Sequence, residues 1–247
     1  MTVVRKHAFT TDVATTAEEI QEARRFQAAR YLEVGFVTST AVNGMIEDQW
    51  VASSTYHVAR HESGRVVGVC RFVNLTLSGL PMLSEFDLYA GWRGAIAANC
   101  GTAYEMGALA VDPEFKDTMV SASLYRQTIR QFRVHPGQVH LLAALDSGLL
   151  EVMRDVLHFP FTQIGDPKML VGGESTPVYL YVPDALQRQI DLAPDAARYF
   201  CGCDDLDIAR EEVLDLRSTY TEIRPEPVEV DLTDPVQLNG VQVNQLD

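Results

Sequence analysis

Apolar residues recur at helical spacing from residue 17 to about Val34, through Ile20, Ala23, Phe26 and the Arg30/Tyr31 pair. Thr16 with Glu19 three residues on predicts a capping box at the start of this helix, and Gly35 predicts its stop. Residues 37–49 read as loop, with a short helix around Ile46–Val51. The period then changes to two. "STYHVARH" (54–61) alternates and "RVVGVCRFVN" (65–74) is apolar and β-branched, with "ESG" between them as a hairpin turn. A proline-containing loop (77–86), a strand (102–111), a helix (120–134), a strand (138–145) and a helix (147–159) follow. Residues 161–165 and 177–182 read as a closing pair of strands. This order predicts an α+β fold, a mixed, mostly antiparallel sheet flanked by helices.

Past Pro183 the pattern weakens. One amphipathic helix is expected around Asp205–Tyr220, and then a proline-containing stretch that is extended or partly disordered. Charge marks the same boundary. Of the chain's net −14, residues 184–247 carry most, with 15 Asp/Glu against 5 Arg. The expected division is therefore a domain over 1–183 and an acidic C-terminal extension over 184–247. This acidity argues against a nucleic-acid partner.

The four cysteines (Cys70, Cys100, Cys201, Cys203) lack zinc spacing and read as free thiols. No metal is expected. No apolar run reaches the roughly 18–20 residues of a membrane span, and the N-terminus lacks an apolar signal core, so a cytoplasmic location is expected.

Chemistry concentrates in "LAVDPEFKDTMVSASL" (109–124), a strand end, a tight loop and a helix N-terminus. Backbone N–H groups in such a place can hold a phosphate. Glycine usually lets the backbone approach the oxygens, yet Met119 and Ser121 stand here instead.

The element order and "VDPEFKDTMVS" (111–121) resemble the GNAT acyltransferases, whose pyrophosphate loop reads V-x-P-x-x-R/Q-G-x-G-x-G/A. Lys116 falls at the Arg/Gln position, while Asp117, Met119 and Ser121 replace the three small residues. One branch is more similar, that of acyl-homoserine-lactone synthases and N-acyl amino acid synthases. "GVCRF…LTLSGLPMLSEF" matches their G-x-x-R-L…T-x-P-x-M-L-x-x-x-F, "YEMGALAV" their W-E-x-S-R-x-x-V, and "DQWV" their D-x-(aromatic)-D. The resemblance covers about residues 17–182.

It implies transfer of an acyl group from a phosphopantetheine thioester, on an acyl carrier protein or coenzyme A, to an amine. No cofactor would be permanently bound. Carrier-bound pantetheine has one phosphodiester, which suits a loop with few glycines. Gly107-Ala108 stands where the lactone synthases have Ser-Arg, and Val51 replaces their second Asp. The expected acceptor is therefore an amino acid or an amine-bearing natural-product intermediate rather than S-adenosylmethionine. Arg154 occupies the position of the general-acid Tyr that other GNAT enzymes carry.

Glu105, in mid-strand among apolar residues, is the expected general base, since burial raises a carboxyl pKa, with an outward-facing strand Glu as the alternative. Arg71, also in an apolar strand, either binds a substrate carboxylate or pairs with Asp48 or Glu105. Asp48, Trp50, Met82, Leu83 and Phe86 are pocket candidates, with plain core packing as the alternative. Lys116, Met119, Val120 and Ser121 are the candidate phosphopantetheine cradle, with a plain turn as the alternative. N–H groups near Leu109, Ala110 and Val111 are candidate oxyanion donors. Arg126, Arg130 and Arg133 share one helix face and could dock an acidic carrier protein, or be a solvated face.

Overall fold

The computed structural model describes residues 8–39, 43–76, 79–116, 118–134, 137–170 and 173–225. The strands are β1 (Phe9–Val13), β2 (Ser54–His61), β3 (Val66–Asn74), β4 (Ala103–Val111), β5 (His140–Asp146), β6 (Thr162–Gln163), β7 (Lys168–Leu170) and β8 (Gly173–Tyr181). They form one sheet in the order β1-β2-β3-β4-β5-β8-β6, with β7 also paired to β8. The described pairings are antiparallel except β4–β5, which is parallel.

The first helix, α1 (Ala17–Glu33), begins with the expected capping box. The Thr16 hydroxyl accepts from the Glu19 N–H, and the Glu19 carboxylate accepts from the Thr16 N–H. Short helices α2 (Pro81–Glu85) and α3 (Trp92–Ala97) lie between β3 and β4. Helix α4 (Val120–Val134) follows β4. After β5, α5 (Ser147–Glu151) runs into a π-helical turn at Val152–Val156.

Two apolar layers sandwich the sheet. One gathers Phe72, Tyr104, Phe115, Val120, Leu124 and Leu141 under α4. There Gly68 is a packing requirement, because a Cβ on it would lie 2.6 Å from Val120 Cγ1. The other holds Met82, Phe86, Trp92, Leu142 and Tyr179 beneath α2 and α3. Beside it, Ala23 of α1 packs with Tyr56, Val58 and Val69.

The centre of the sheet is irregular where it matters for function. Val69 pairs with Ala110 and Arg71 with Gly107, so Cys70 alone faces Ala108 and Leu109. Ala108 has φ +53, which marks the bulge. Pairing between β4 and β5 ends at Met106 with Ala143, although β4 runs on to Val111 and β5 to Asp146. The two parallel strands part at their C-terminal ends.

Several local expectations need correction. Residues 81–85, read as loop, are helical, because Pro81 fixes φ at a first-turn position and no N–H is lost there. The short helix expected at Ile46–Val51 is instead a 3-10 turn at Val51–Ser53. The helix of 147–159 ends in the π turn, and His158 follows at φ +57. Strands β1 and β7 and helix α3 carry too few residues to show a period.

Beyond β8 the described residues form three helices, not one: α6 (Val182–Leu192), α7 (Pro194–Cys201) and α8 (Leu206–Thr219). Only α8 was legible in the pattern. Leu186, Ile190, Phe200, Ala209 and Val213 from these helices join the α4-side core. The part of the expected extended tail beyond residue 225 lies outside the described residues.

Candidate active site

Glu105 sits in the middle of β4, buried, on the sheet face that carries α2 and α3. Its neighbours Tyr104 and Met106 point into the opposite layer, as strand alternation requires. The Glu105 Oε2 accepts a 2.8 Å hydrogen bond from the Met82 backbone N–H in the first turn of α2. Burial pushes the carboxyl up to about 7, against the Met82 N–H and the Arg71 charge, which favour the ionised form, and with Glu85 adding to the rise. A carboxyl poised there exchanges protons near neutrality.

Arg71 lies on the adjacent strand β3, buried, with its guanidinium 5.8 Å from the centre of the Tyr56 ring. Its two terminal nitrogens donate to both Asp48 oxygens, at 2.5 and 2.8 Å. Its Nε donates to Ser54 Oγ at 2.8 Å. The fork is therefore occupied by Asp48, as in the pairing alternative, and is not free for a substrate carboxylate. Burial pushes Asp48 up, but hydrogen bonding and charge from Arg71 outweigh it, so the carboxyl titrates below its usual range.

Asp48 also caps its own turn by accepting from the Trp50 N–H at 2.8 Å. The Trp50 carbonyl accepts from Ser53 and Ser54, and its indole Nε1 is buried with no partner among the described residues. Met82 and Phe86 are buried core residues, with Leu83 packed against them. What Met82 brings to Glu105 is its backbone.

The cradle candidates divide. Ala110 and Val120 are buried, and Leu109 and Val111 pack on the α4-side core. Ser121 is half-buried, while Lys116 and Met119 face solvent. The Val120 N–H is engaged by Thr118 Oγ1 at 3.3 Å. Asp117 lies outside the described residues.

The arginine face is not simply solvated. Arg126 lies over the Tyr199 ring, 5.1 Å from its centre. Arg126 and Arg130 both crowd Gly202, where a Cβ would lie 2.9 Å from Arg126 Nη2. Gly202 has φ +63, so glycine serves there both as helix stop and as clearance. The Arg133 side chain lies outside the described residues. Arg154 donates to the Phe161 carbonyl at 2.9 Å.

Sequence reasoning missed two residues that hold the Arg71–Asp48 pair in place. Arg24 is buried on α1 and donates to the Ile46 carbonyl and Glu47, fixing the loop that presents Asp48. A charged residue beside Ala23 on the apolar stripe was the available signal. Ser54 gave none, because its bond to Arg71 depends on how β2 and β3 are brought together.

Among the described residues no group of three or more His, Cys, Asp or Glu could hold a metal ion, and no helix is long and apolar enough to cross a membrane.

A mixed, mostly antiparallel sheet flanked by helices, with a parallel β4–β5 pair that parts at its C-terminal end, is a GNAT-like fold. The solved structure of FeeM, an N-acyl amino acid synthase from uncultured soil microbes, resembles this fold with TM-score 0.53 and 20% identity, over 73% of this chain and 94% of that one. So does BjaI, a CoA-dependent acyl-homoserine lactone synthase, with TM-score 0.57 and 18% identity over 80% and 90% of the two chains. LasI, an acyl-homoserine-lactone synthase, gives 0.56 and 14% over 76% and 96%. No curated protein matches the chain. The family model described as N-acyl amino acid synthase FeeM matches residues 22–184, so the chain belongs to that family and is an acyltransferase. The matched span ends within the first turn of α6.

Proposed function

We propose that this protein moves an acyl group from a phosphopantetheine thioester to the amine of an amino acid or an amine-bearing natural-product intermediate. The observation that carries this reading is Glu105, a buried carboxyl tuned to about 7 beside the point where β4 and β5 part. The parting strands leave room for an extended pantetheine arm to run along the free edge of β4. The acceptor approaches from the α2 side.

The amine nitrogen attacks the thioester carbonyl directly. Its surplus proton passes to Glu105, the C–S bond breaks, and the thiolate leaves with the pantetheine and is protonated. The Met82 N–H orients the Glu105 carboxylate, and backbone N–H groups of Leu109–Val111 steady the developing oxyanion. Arg71 and Asp48 form a neutral pair that braces the acceptor side, with Trp50 beside it.

An acyl carrier protein fits the donor site better than coenzyme A, because the cradle has Met119 and Ser121 where close phosphate approach favours glycine. Lys116 and the exposed Arg130 would meet the acidic carrier, with Arg133 on the same helix. The test is intact-mass spectrometry of acyl-loaded carrier proteins, and of the same acyl groups on coenzyme A, incubated with the protein and pooled amines. An N-acyl product with carrier deacylation, lost in Glu105→Gln, supports the reading. Turnover with coenzyme A alone corrects the donor, and no product from either overturns the proposal.

A further inference from the structure

Neither a positive φ nor a close contact requires glycine at 107. It lies within β4, where glycine weakens a strand because it has no side chain to pack and the most backbone freedom to lose. The usual compensations are a positive φ or a close contact. Most of the described glycines have positive φ, and Gly68, Gly148 and Gly165 have close neighbours where a Cβ would lie. At Gly107 φ is not in the left-handed range, and an added Cβ would have nothing within 4 Å. Gly94 and Gly173 share this freedom, but they lie in α3 and at the start of β8, away from the reactive carboxyl.

The position of Gly107 gives the open space a use. It is two residues beyond Glu105 on the same sheet face and directly opposite Arg71 in the register. Residues Ala103 to Met106 are buried, and exposure begins at Gly107. The β4–β5 pairing has just ended, and the bulge at Ala108 comes next. The missing side chain therefore leaves open space on the sheet face that carries Glu105 and Arg71, and we take this space as a recess for the acceptor. Tyr56 lies under Arg71. With its charges paired, the recess favours shape over charge as the basis of selection.

We infer that Gly107 is the specificity-determining residue of the acceptor site: its missing side chain is the floor on which the bulk of a large primary amine rests while the nitrogen faces Glu105. This rests on the acyl-transfer reading and deepens it, since it assigns acceptor size to one backbone position. A methyl at 107 narrows the recess, and a branched side chain fills it. Small amines still reach Glu105.

The experiment uses the full chain with Gly107→Ala and Gly107→Val. A panel of primary amines runs from glycine and ethylamine to bulky amino acids. Turnover is read by mass spectrometry, and binding of the same amines by saturation-transfer NMR without any donor. Thermal unfolding checks the fold, and Gly107→Ala serves if the valine variant misfolds. The expected result is a loss of at least tenfold in kcat/KM and of the binding signal for bulky amines, graded from Ala to Val, with small amines changed less than threefold. An equal loss across the panel, or no change in either variant, overturns the inference and leaves acyl transfer standing. A parent protein that neither binds nor acylates any amine overturns both.

Discussion

Glu105 links burial, proton affinity and stability in one side chain. Its folded pKa of about 7 lies above the ordinary 4.5. Between these values the folded protein keeps a proton that the unfolded chain has lost, so this group's contribution to stability falls as pH rises from 4.5 to 7. Glu105→Gln removes that trend and keeps an oxygen for the Met82 N–H. Urea unfolding at pH 8 should therefore show the variant at least as stable as the parent, while kcat/KM falls by about 10²–10⁴. Parent kcat/KM should rise with pH through about 7, as the carboxylate that accepts the amine proton forms. A flat profile would remove Glu105 as base.

Arg71 makes a second prediction at this scale. Asp48→Asn leaves a buried guanidinium short of its counter-charge, which costs about 3 kcal/mol. The expected outcome is a lower unfolding midpoint and weaker acceptor binding, with donor binding retained. Arg71→Lys on its own should show a similar loss, because an ammonium cannot reproduce the two parallel bonds to Asp48 together with the one to Ser54.

At the scale of elements, the contact between β3 and α4 is set by one missing methyl. Gly68→Ala would place Cβ 2.6 Å from Val120 Cγ1 and 3.1 Å from Leu124 Cδ1. Lifting α4 off the sheet should cost about 1–3 kcal/mol and disturb the loop before it. Chemical denaturation gives the first quantity. Val120→Ala in the Gly68→Ala background should recover part of the loss, since it removes the nearest clashing atom. Gly107→Ala in the next strand should cost little by comparison, because its Cβ meets nothing. Two glycines 39 positions apart in adjacent strands thus have opposite roles, one closing a helix onto the sheet and one keeping a face open.

At the scale of the molecule, the C-terminal helices and the stretch after them tie the two faces of the sheet together. Helices α6–α8 pack on the α4 side, then the chain crosses to bury Ile223 in the layer that holds Met82 and Phe86. Its N–H donates to Tyr179 Oη at 3.0 Å, and Tyr179 Oη lies 3.0 Å from His140 Nδ1. Tyr181 Oη donates to the Tyr220 carbonyl at 2.5 Å. Ile223→Ala should cost about 2–4 kcal/mol, which differential scanning calorimetry would detect as a lower Tm although the residue lies beyond the family match.

The same region sets the acid limit. Burial lowers His140 and His57 to about 4, below the ordinary 6.5. Between these values the unfolded chain binds more protons, so stability is full above about 6.5 and falls as pH drops toward 4. The ceiling is about 3 kcal/mol for each histidine. Urea midpoints from pH 7 to 4.5 should fall, and more steeply in Glu105→Gln, which lacks the opposing trend. An unchanged slope would mean the histidines are protonated in the fold.

What the sequence determined by itself was local. The capping box at Thr16 and Glu19, the two-residue period of β2 and the β-branched run of β3 need only neighbours in the chain, so their free energies are legible in order of residues. A charged residue in an apolar strand also marked Glu105 and Arg71 as exceptions that something must compensate. The sequence could not choose Asp48 over Glu105 as the partner of Arg71, show that Met82 acts through its N–H, or separate Gly68 from Gly107. It also concealed α6 and α7. Those features depend on which distant segments meet, on the bulge at Ala108, and on how much water each contact excludes. The tertiary structure alone decided them, because burial and register belong to the packed chain and to no single stretch of it.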